Sequence, residues 1–255
     1  YKLNLYMSAK RGLITGCGKG IGLAVLNKLL TQDNDDLILG ISRSDNTDLI
    51  NLRSKFPQKF IFKECDISDV NKVQNILVEF NIKYGSIDYS ICNAGIRSRL
   101  SMLKSELALY REVIETNTIA NINISKIIIQ SSLEANKKCN ILFISSIVGS
   151  RGFDELTTYA VSKSALEGFV KSAAVEFGKF NIQLNCLAPG FVESSYFQEF
   201  KKNKKDLYDW TISQTPLGRW GKCDEIAELA LFLISDKNSF MTGSVIYSDG
   251  GWTSK

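Results

Sequence analysis

Seven short apolar runs punctuate the chain, at residues 12–15, 37–41, 60–65, 89–92, 141–144, 184–187 and 244–247, and they are largely continuous rather than alternating. That pattern constrains the fold more than any other feature. A strand with one face in water alternates polar and apolar side chains, so continuous runs predict a parallel sheet covered on both faces. The stretches between them are long enough for helices and carry helical periodicity, as in Ile21, Val25 and Leu29, or Val73, Ile76, Leu77 and Phe80. The expected architecture is α/β: a doubly wound, seven-stranded parallel sheet with helices on both faces. At 255 residues the chain fits one such domain. No Pro/Gly/Ser-rich linker divides it. The irregular insertion at 193–221, polar and aromatic by turns, reads as a substrate lid, and residues 1–8 read as a flexible extension or tag.

Composition narrows the chemistry. With no histidine, the chain lacks the commonest general base and the commonest transition-metal ligand. Serine–histidine hydrolysis and histidine-bound zinc are excluded, no metal site is expected, and any acid or base must be Tyr, Lys, Asp, Glu or Cys. Cys17, Cys65, Cys92, Cys139, Cys186 and Cys223 show no Cys-x-x-Cys spacing and read as reduced core thiols. A net charge of +4 is too small to imply nucleic-acid binding. The lysines are dispersed except for Lys201, Lys202, Lys204 and Lys205, which read first as a solvated helix face. No apolar run has the length of a membrane span and no signal-peptide pattern opens the chain. A cytoplasmic location is expected, with neither membrane nor nucleic acid as partner.

Two local patterns carry chemistry. Thr15-Gly16-Cys17-Gly18-Lys19-Gly20-Ile21-Gly22 joins the first strand to the first helix, the context a dinucleotide-binding turn requires. Glycines at 16, 20 and 22 permit a tight turn, close approach of backbone to a pyrophosphate and close helix–strand packing, with the helix N-terminus facing the phosphates. Further along, Tyr159 and Lys163 stand four residues apart at the head of an apolar helical stripe, Leu166, Phe169, Val170, Ala173, Ala174 and Phe177. A lysine on an inward-facing position shifts its own pKa and that of its neighbours, so the pair reads as a tuned proton donor.

The Thr-Gly-x-x-x-Gly-x-Gly spacing resembles that of the short-chain dehydrogenase/reductase superfamily, Rossmann-fold enzymes, and the resemblance covers nearly the whole chain. Asp66 and Ile67 match the family's adenine-contacting segment. Asn93-Ala94-Gly95 matches its Asn-Ala-Gly after the fourth strand, and Pro189, Gly190, Val192 and Ser194 match the segment around the nicotinamide. Ser146, thirteen residues before Tyr159, matches the active-site serine, and Asn117 the helix asparagine. The resemblance implies a catalytic tetrad of Asn117, Ser146, Tyr159 and Lys163. In it Tyr159 is the acid for a carbonyl oxygen and Lys163 lowers its pKa while binding the nicotinamide ribose. Ser146 holds the substrate oxygen, and Asn117 holds a relaying water. It also implies a homotetramer, assembled through the helices carrying Asn117 and Tyr159 and through the C-terminal strand.

The second strand ends Ser42-Arg43 with no carboxylate before Asp45, and Lys19 stands in the glycine turn. Cations rather than an acid at this place suit a 2′-phosphate, so NADP(H) is the expected cofactor and NAD(H) the alternative. The chain looks most like 3-oxoacyl-carrier-protein reductases and related sugar, polyol and steroid reductases. A small-molecule or carrier-bound carbonyl is therefore the expected substrate, and the lysine cluster is a candidate contact for an acidic carrier. Arg97, Arg99 and Arg151 are candidates to face the pocket and bind an anionic group. Two other readings fit the same residues: a catalytically silent NADP(H)-binding scaffold or regulatory protein, and an NAD-dependent alcohol dehydrogenase of the same fold.

Overall fold

A computed structural model describes residues 9–255, and the extension expected over residues 1–8 lies outside them. In chain order the elements are β1 (Arg11–Thr15), α1 (Gly20–Thr31), β2 (Leu37–Ser42), α2 (Thr47–Lys55), β3 (Phe60–Glu64) and α3 (Val70–Tyr84). Then come β4 (Tyr89–Cys92), α4 (Leu107–Ile114), α5 (Ala120–Glu134), β5 (Cys139–Ile144), α6 (Thr157–Phe177) and β6 (Ile182–Pro189). The chain closes with β7 (Val192–Glu193), α7 (Phe197–Asn203), α8 (Lys205–Gln214), β8 (Gly221–Lys222), α9 (Cys223–Ile234) and β9 (Val245–Ser248).

All seven apolar runs became strands of one parallel sheet, ordered β3-β2-β1-β4-β5-β6-β9. Successive strand side chains point to opposite faces, and both faces are covered. Leu13 packs into a core with Val73, Leu77, Ile124, Ile128, Leu166 and Val170, from α3, α5 and α6. Its neighbour Ile14 joins Val25, Leu29, Leu49, Ile226 and Ala230, from α1, α2 and α9. Leu13 and Ile14 are both fully buried, which accounts for continuous apolar runs.

The segment 193–221 departs from the irregular insertion expected of it. It is mostly helical, with α7 and α8 clamped between the parallel two-residue strands β7 and β8. Its organising residue is Trp220, 2% exposed, which the rings of Phe191, Tyr196, Phe197, Phe200 and Tyr208 surround at centroid distances of 5.2–6.4 Å. The Trp220 indole N–H donates to Thr211 Oγ1 at 2.7 Å. The helices are short and charged, and their apolar face is completed by a tryptophan downstream, so local periodicity in the sequence does not reveal them.

Among the described residues the six cysteines are unpaired, and no helix is long and apolar enough to cross a membrane. Trp220→Ala should cost about 3–5 kcal/mol, typical of deleting a large buried aromatic. Urea unfolding of the two proteins measures it; a loss under 1 kcal/mol, roughly that of an ordinary surface change, would show that α7 and α8 do not depend on this ring.

Candidate active site

The C-terminal ends of β1, β4, β5 and β6 open into one cleft of about 620 Å³. It lies at the switch in strand order between β1 and β4, where helices leave toward opposite faces of the sheet. One end is built by the glycine turn. Gly16 and Gly20 adopt left-handed backbone, φ +67° and +56°, and a Cβ on Gly22 would lie 2.2 Å from the Gly16 carbonyl oxygen. Side-chain-free residues are therefore required there. The α1 N-terminus follows with no acidic residue in its first turn and no side-chain cap from Lys19. Its backbone N–H groups and positive dipole end thus face the cleft uncompensated, and the turn fits a pyrophosphate.

Beside the turn stands the end of β2. Ser42, Arg43 and Lys19 all line the cleft, and neither cation enters an ion pair among the described residues. Asp45, the first acid after the strand, is turned away and paired with Arg53. Asn46 caps α2 by accepting from the Leu49 N–H at 3.0 Å and donates its amide to the Gly18 carbonyl at 2.7 Å, tying this loop to the glycine turn. Asp66 and Ile67 line the neighbouring wall. Burial opposes ionisation of Asp66, but the Ser68 N–H and hydroxyl and the Arg43 charge outweigh it and hold the carboxyl below its ordinary range.

The other end carries Ser146, Tyr159 and Lys163. Lys163 is 4% exposed, its ammonium donating to the Ile144 carbonyl at 2.7 Å and lying 5.6 Å from the Tyr159 ring centroid. Burial pulls its pKa down to about 8. Burial also raises Tyr159 above the ordinary phenol range, against the opposing pull of the Arg97 charge and the Ser146 hydroxyl. The net direction is upward, where the sequence led to the expectation of a lowered tyrosine. The ammonium points to a backbone carbonyl and makes no hydrogen bond to the phenol, so desolvation dominates and Arg97 is the leading opposing charge.

Asn117 is fully buried and does not line the cleft. It sits in a π-helical turn, Glu115–Ile119, that joins α4 to α5, a local distortion common at functional positions. Its amide nitrogen donates to the Ile96 carbonyl at 2.9 Å and Ser162 Oγ at 3.0 Å, and its oxygen accepts from the Ile96 N–H at 2.7 Å. Both amide hydrogens are thus spent on protein, so the side chain fixes the loop after β4 against α6 rather than offering a donor to water.

Of the remaining expected site residues, Gly16, Gly20, Ile21, Asn93, Ala94, Gly95, Pro189, Gly190, Val192 and Ser194 line the cleft, whereas Thr15 and Gly22 lie behind it. Thr15 Oγ1 accepts from the N–H groups of Asn93 and Ala94 at 3.1 and 3.0 Å. Asn93 in turn donates its amide to the carbonyls of Thr15 and Gly16 at 3.1 and 3.0 Å. Among the three candidate arginines only Arg97 lines the cleft. Arg99 donates to the Asp154 carbonyl and approaches Glu155 at 3.9 Å, and Arg151 donates to the Thr253 carbonyl at 2.7 Å. Sequence reading missed Ser162, Asn121 and Asn46. Each acts through a bond to distant backbone or side chain, and only Asn46 left a signal, as a helix cap opening Thr47–Lys55.

Fold and cleft together define an α/β protein built to seat a dinucleotide beside a half-buried tyrosine and a buried lysine. A family profile described as enoyl-(acyl carrier protein) reductase matches residues 16–253. The chain belongs to this family, within the short-chain dehydrogenase/reductase superfamily, and is an oxidoreductase. It is similar to the 3-oxoacyl-(acyl-carrier-protein) reductase FabG of Chlamydia muridarum, 33% identical over 250 residues that cover 98% of this chain and 99% of that one. Among solved structures it is similar to ElxO with NADP bound, with TM-score 0.89 and 29% identity over 97% of this chain and 100% of that one. It is also similar to 4-hydroxyisoleucine dehydrogenase complexed with NADH, with TM-score 0.90 and 30% identity over 96% and 99%.

The burial of Lys163 has a consequence for stability. Its pKa is about 8 in the folded chain against an ordinary 10.5, so between these values the unfolded chain holds the extra proton. Stability therefore rises with pH across that window, and the penalty is complete below it. Lys163→Met should flatten this rise in denaturant melts of the protein alone from about pH 7 to about pH 10.5; an identical rise in the variant would assign it to other groups.

Proposed function

We propose that this chain is an NADP(H)-dependent reductase that interconverts a ketone and a secondary alcohol, with Tyr159 as the acid in the reducing direction. The observation that carries this reading is a single cleft bounded at one end by the α1 N-terminus and its glycine turn, and at the other by Ser146, Tyr159 and Lys163. A nicotinamide held in this cleft would supply the hydride for the carbonyl carbon.

The chain's own residues do the rest. Gly16, Gly20, Ile21 and the first amides of α1 hold the pyrophosphate, with Gly22 and Thr15 keeping the turn in place from behind. Lys19, Ser42 and Arg43 hold the 2′-phosphate, Arg43 through its planar fork. Asp66 and Ile67 flank the adenine, Asn93, Ala94 and Gly95 form the floor, and Pro189, Gly190, Val192 and Ser194 enclose the nicotinamide side. Because Asp45 is neutralised by Arg53, no carboxylate at the end of β2 is left to accept ribose hydroxyls, which supports NADP(H) over NAD(H). The likeness to ElxO, whose structure holds NADP, supports the same choice.

Ser146 donates a hydrogen bond to the substrate oxygen as charge develops on it, and Tyr159 gives that oxygen its proton. Burial keeps the Tyr159 phenol protonated at neutral pH, the state reduction needs. The Lys163 ammonium then stabilises the phenolate, and Asn117 is a positioning residue that fixes α6 through Ser162. The likeness to the chlamydial reductase supports a 3-oxoacyl thioester, and a sugar- or polyol-type ketone fits the same chemistry. On this reading segment 193–221 is the lid over the substrate, and exposed Ile119 and Val161, beside Asn117 and Tyr159, support a homotetramer.

Two measurements test the reading. Tyr159→Phe should lower kcat by about two to four powers of ten while NADPH still binds; a kcat within threefold of wild type would remove the tyrosine from the mechanism. Arg43→Ala should raise KM for NADPH about tenfold or more, the loss of a charge-assisted contact, with little change for NADH. Equal changes for both cofactors would count against the 2′-phosphate assignment.

A further inference from the structure

The cleft is unbalanced in charge. Its lining holds Lys19, Arg43, Arg97 and Lys163 but a single carboxylate, Asp66, which stands near Arg43 at the phosphate-turn end. Lys163 is committed to the Ile144 carbonyl. Arg97 is different. It follows the Asn93–Gly95 floor, its side chain is exposed at the cleft, and no carboxylate pairs with it among the described residues. Its guanidinium instead lies 5.0 Å from the centroid of the Tyr196 ring, a residue of the 193–221 segment that also lines the cleft.

Arg99 shows what an arginine of this loop does when it has a structural partner: it is drawn to Asp154 and Glu155. Arg97, two residues earlier, meets the ring and hydroxyl of Tyr196, a neutral partner that orients the guanidinium without neutralising it. Its charge is also the leading one acting on the Tyr159 phenol, so it stands close to where the substrate oxygen is protonated.

We infer that Arg97, braced by Tyr196, is the receptor for an anionic group on the substrate, and that the preferred substrates are oxo acids whose carboxylate lies within a few carbons of the reacting ketone. This rests on the ketone-reductase reading above and narrows its substrate class. The guanidinium fork matches a carboxylate bidentately, whereas a neutral ketone or ester gains only dispersion from it.

The experiment pairs each anion with its neutral twin: 3-oxobutanoate, 4-oxopentanoate and 5-oxohexanoate against their methyl esters, with NADPH oxidation followed for wild type and Arg97→Gln. Wild type should show kcat/KM for at least one acid about ten- to hundredfold above its ester, the usual worth of a charge-assisted pair. Arg97→Gln should erase most of that ratio through KM of the acid. The wild-type ratio should also shrink as salt is raised, because the site is open to solvent; this holds as a test even if the variant does not fold, which NADPH binding checks.

Turnover of acids and esters with equal KM, or a preference for acids that survives in Arg97→Gln, overturns the assignment and leaves the reductase reading standing. Absence of turnover for all six compounds despite NADPH binding rejects the short oxo acids as substrates, and the same assay with a 3-oxoacyl thioester then tests the reductase reading. In that case calorimetric titration of 4-oxopentanoate and its methyl ester into the NADPH-bound protein decides the anion site alone: binding of the acid only, lost in Arg97→Gln, supports it, and equal or absent binding of both rejects it.

Discussion

Thr15 and Asn93 fasten β1 to β4 at the one place in the sheet where the winding reverses. One hydroxyl accepts two backbone N–H groups, and one carboxamide donates to two backbone carbonyls, so four contacts lie across the switch point. Thr15 is fully buried and Asn93 half-buried, so leaving these groups unpaired would be costly, and the pairing holds the two strand ends in register. The glycine turn is pressed against the next loop as a result: a Cβ on Gly16 would come within 2.8 Å of the Ala94 Cα. From this follow the aim of the α1 N-terminus into the cleft and the lack of any side chain between it and a bound phosphate.

The opposite wall is held by a similar device at longer range. Asn117 spends its whole amide on Ile96 and Ser162, and Thr118 donates its hydroxyl to the Ser162 carbonyl at 2.9 Å. Ser162 lies between Tyr159 and Lys163 on α6, so the π-helical turn that carries Asn117 indirectly sets the position of both. Gly95 completes the arrangement. A side chain there would press on Asn117 Oδ1 at 3.0 Å, while the Lys163 ammonium lies at ordinary contact distance, 3.7 Å.

Burial and charge compete at this wall, and burial prevails at both titratable groups. It depresses the lysine and raises the tyrosine, which moves the two pKa values apart. A pair built to hold a phenolate at rest would place the ammonium at the phenol oxygen. Here it is turned to the Ile144 carbonyl, and the resting pair keeps its proton on the tyrosine.

Much of this was legible in the sequence. Period-free apolar runs foretold a sheet buried on both faces, because water on either face would have imposed alternation, and all seven runs paired as expected. The glycines at 16, 20 and 22 announced the turn, since φ and close approach are properties of single residues and their neighbours. Less legible were features that depend on partners far along the chain: the helical form of 193–221 around Trp220, the staples of Asn117 and Asn46, and the choice of Arg97 over Arg99 and Arg151 as the guanidinium in the cleft. The sequence by itself determined the fold class and the residue types at the cleft, because backbone freedom, burial pattern and the absence of histidine are local or compositional facts. Only the tertiary structure decided which charges remain unpaired and which proton is held, because desolvation and ion pairing depend on what the folded chain brings within a few ångströms.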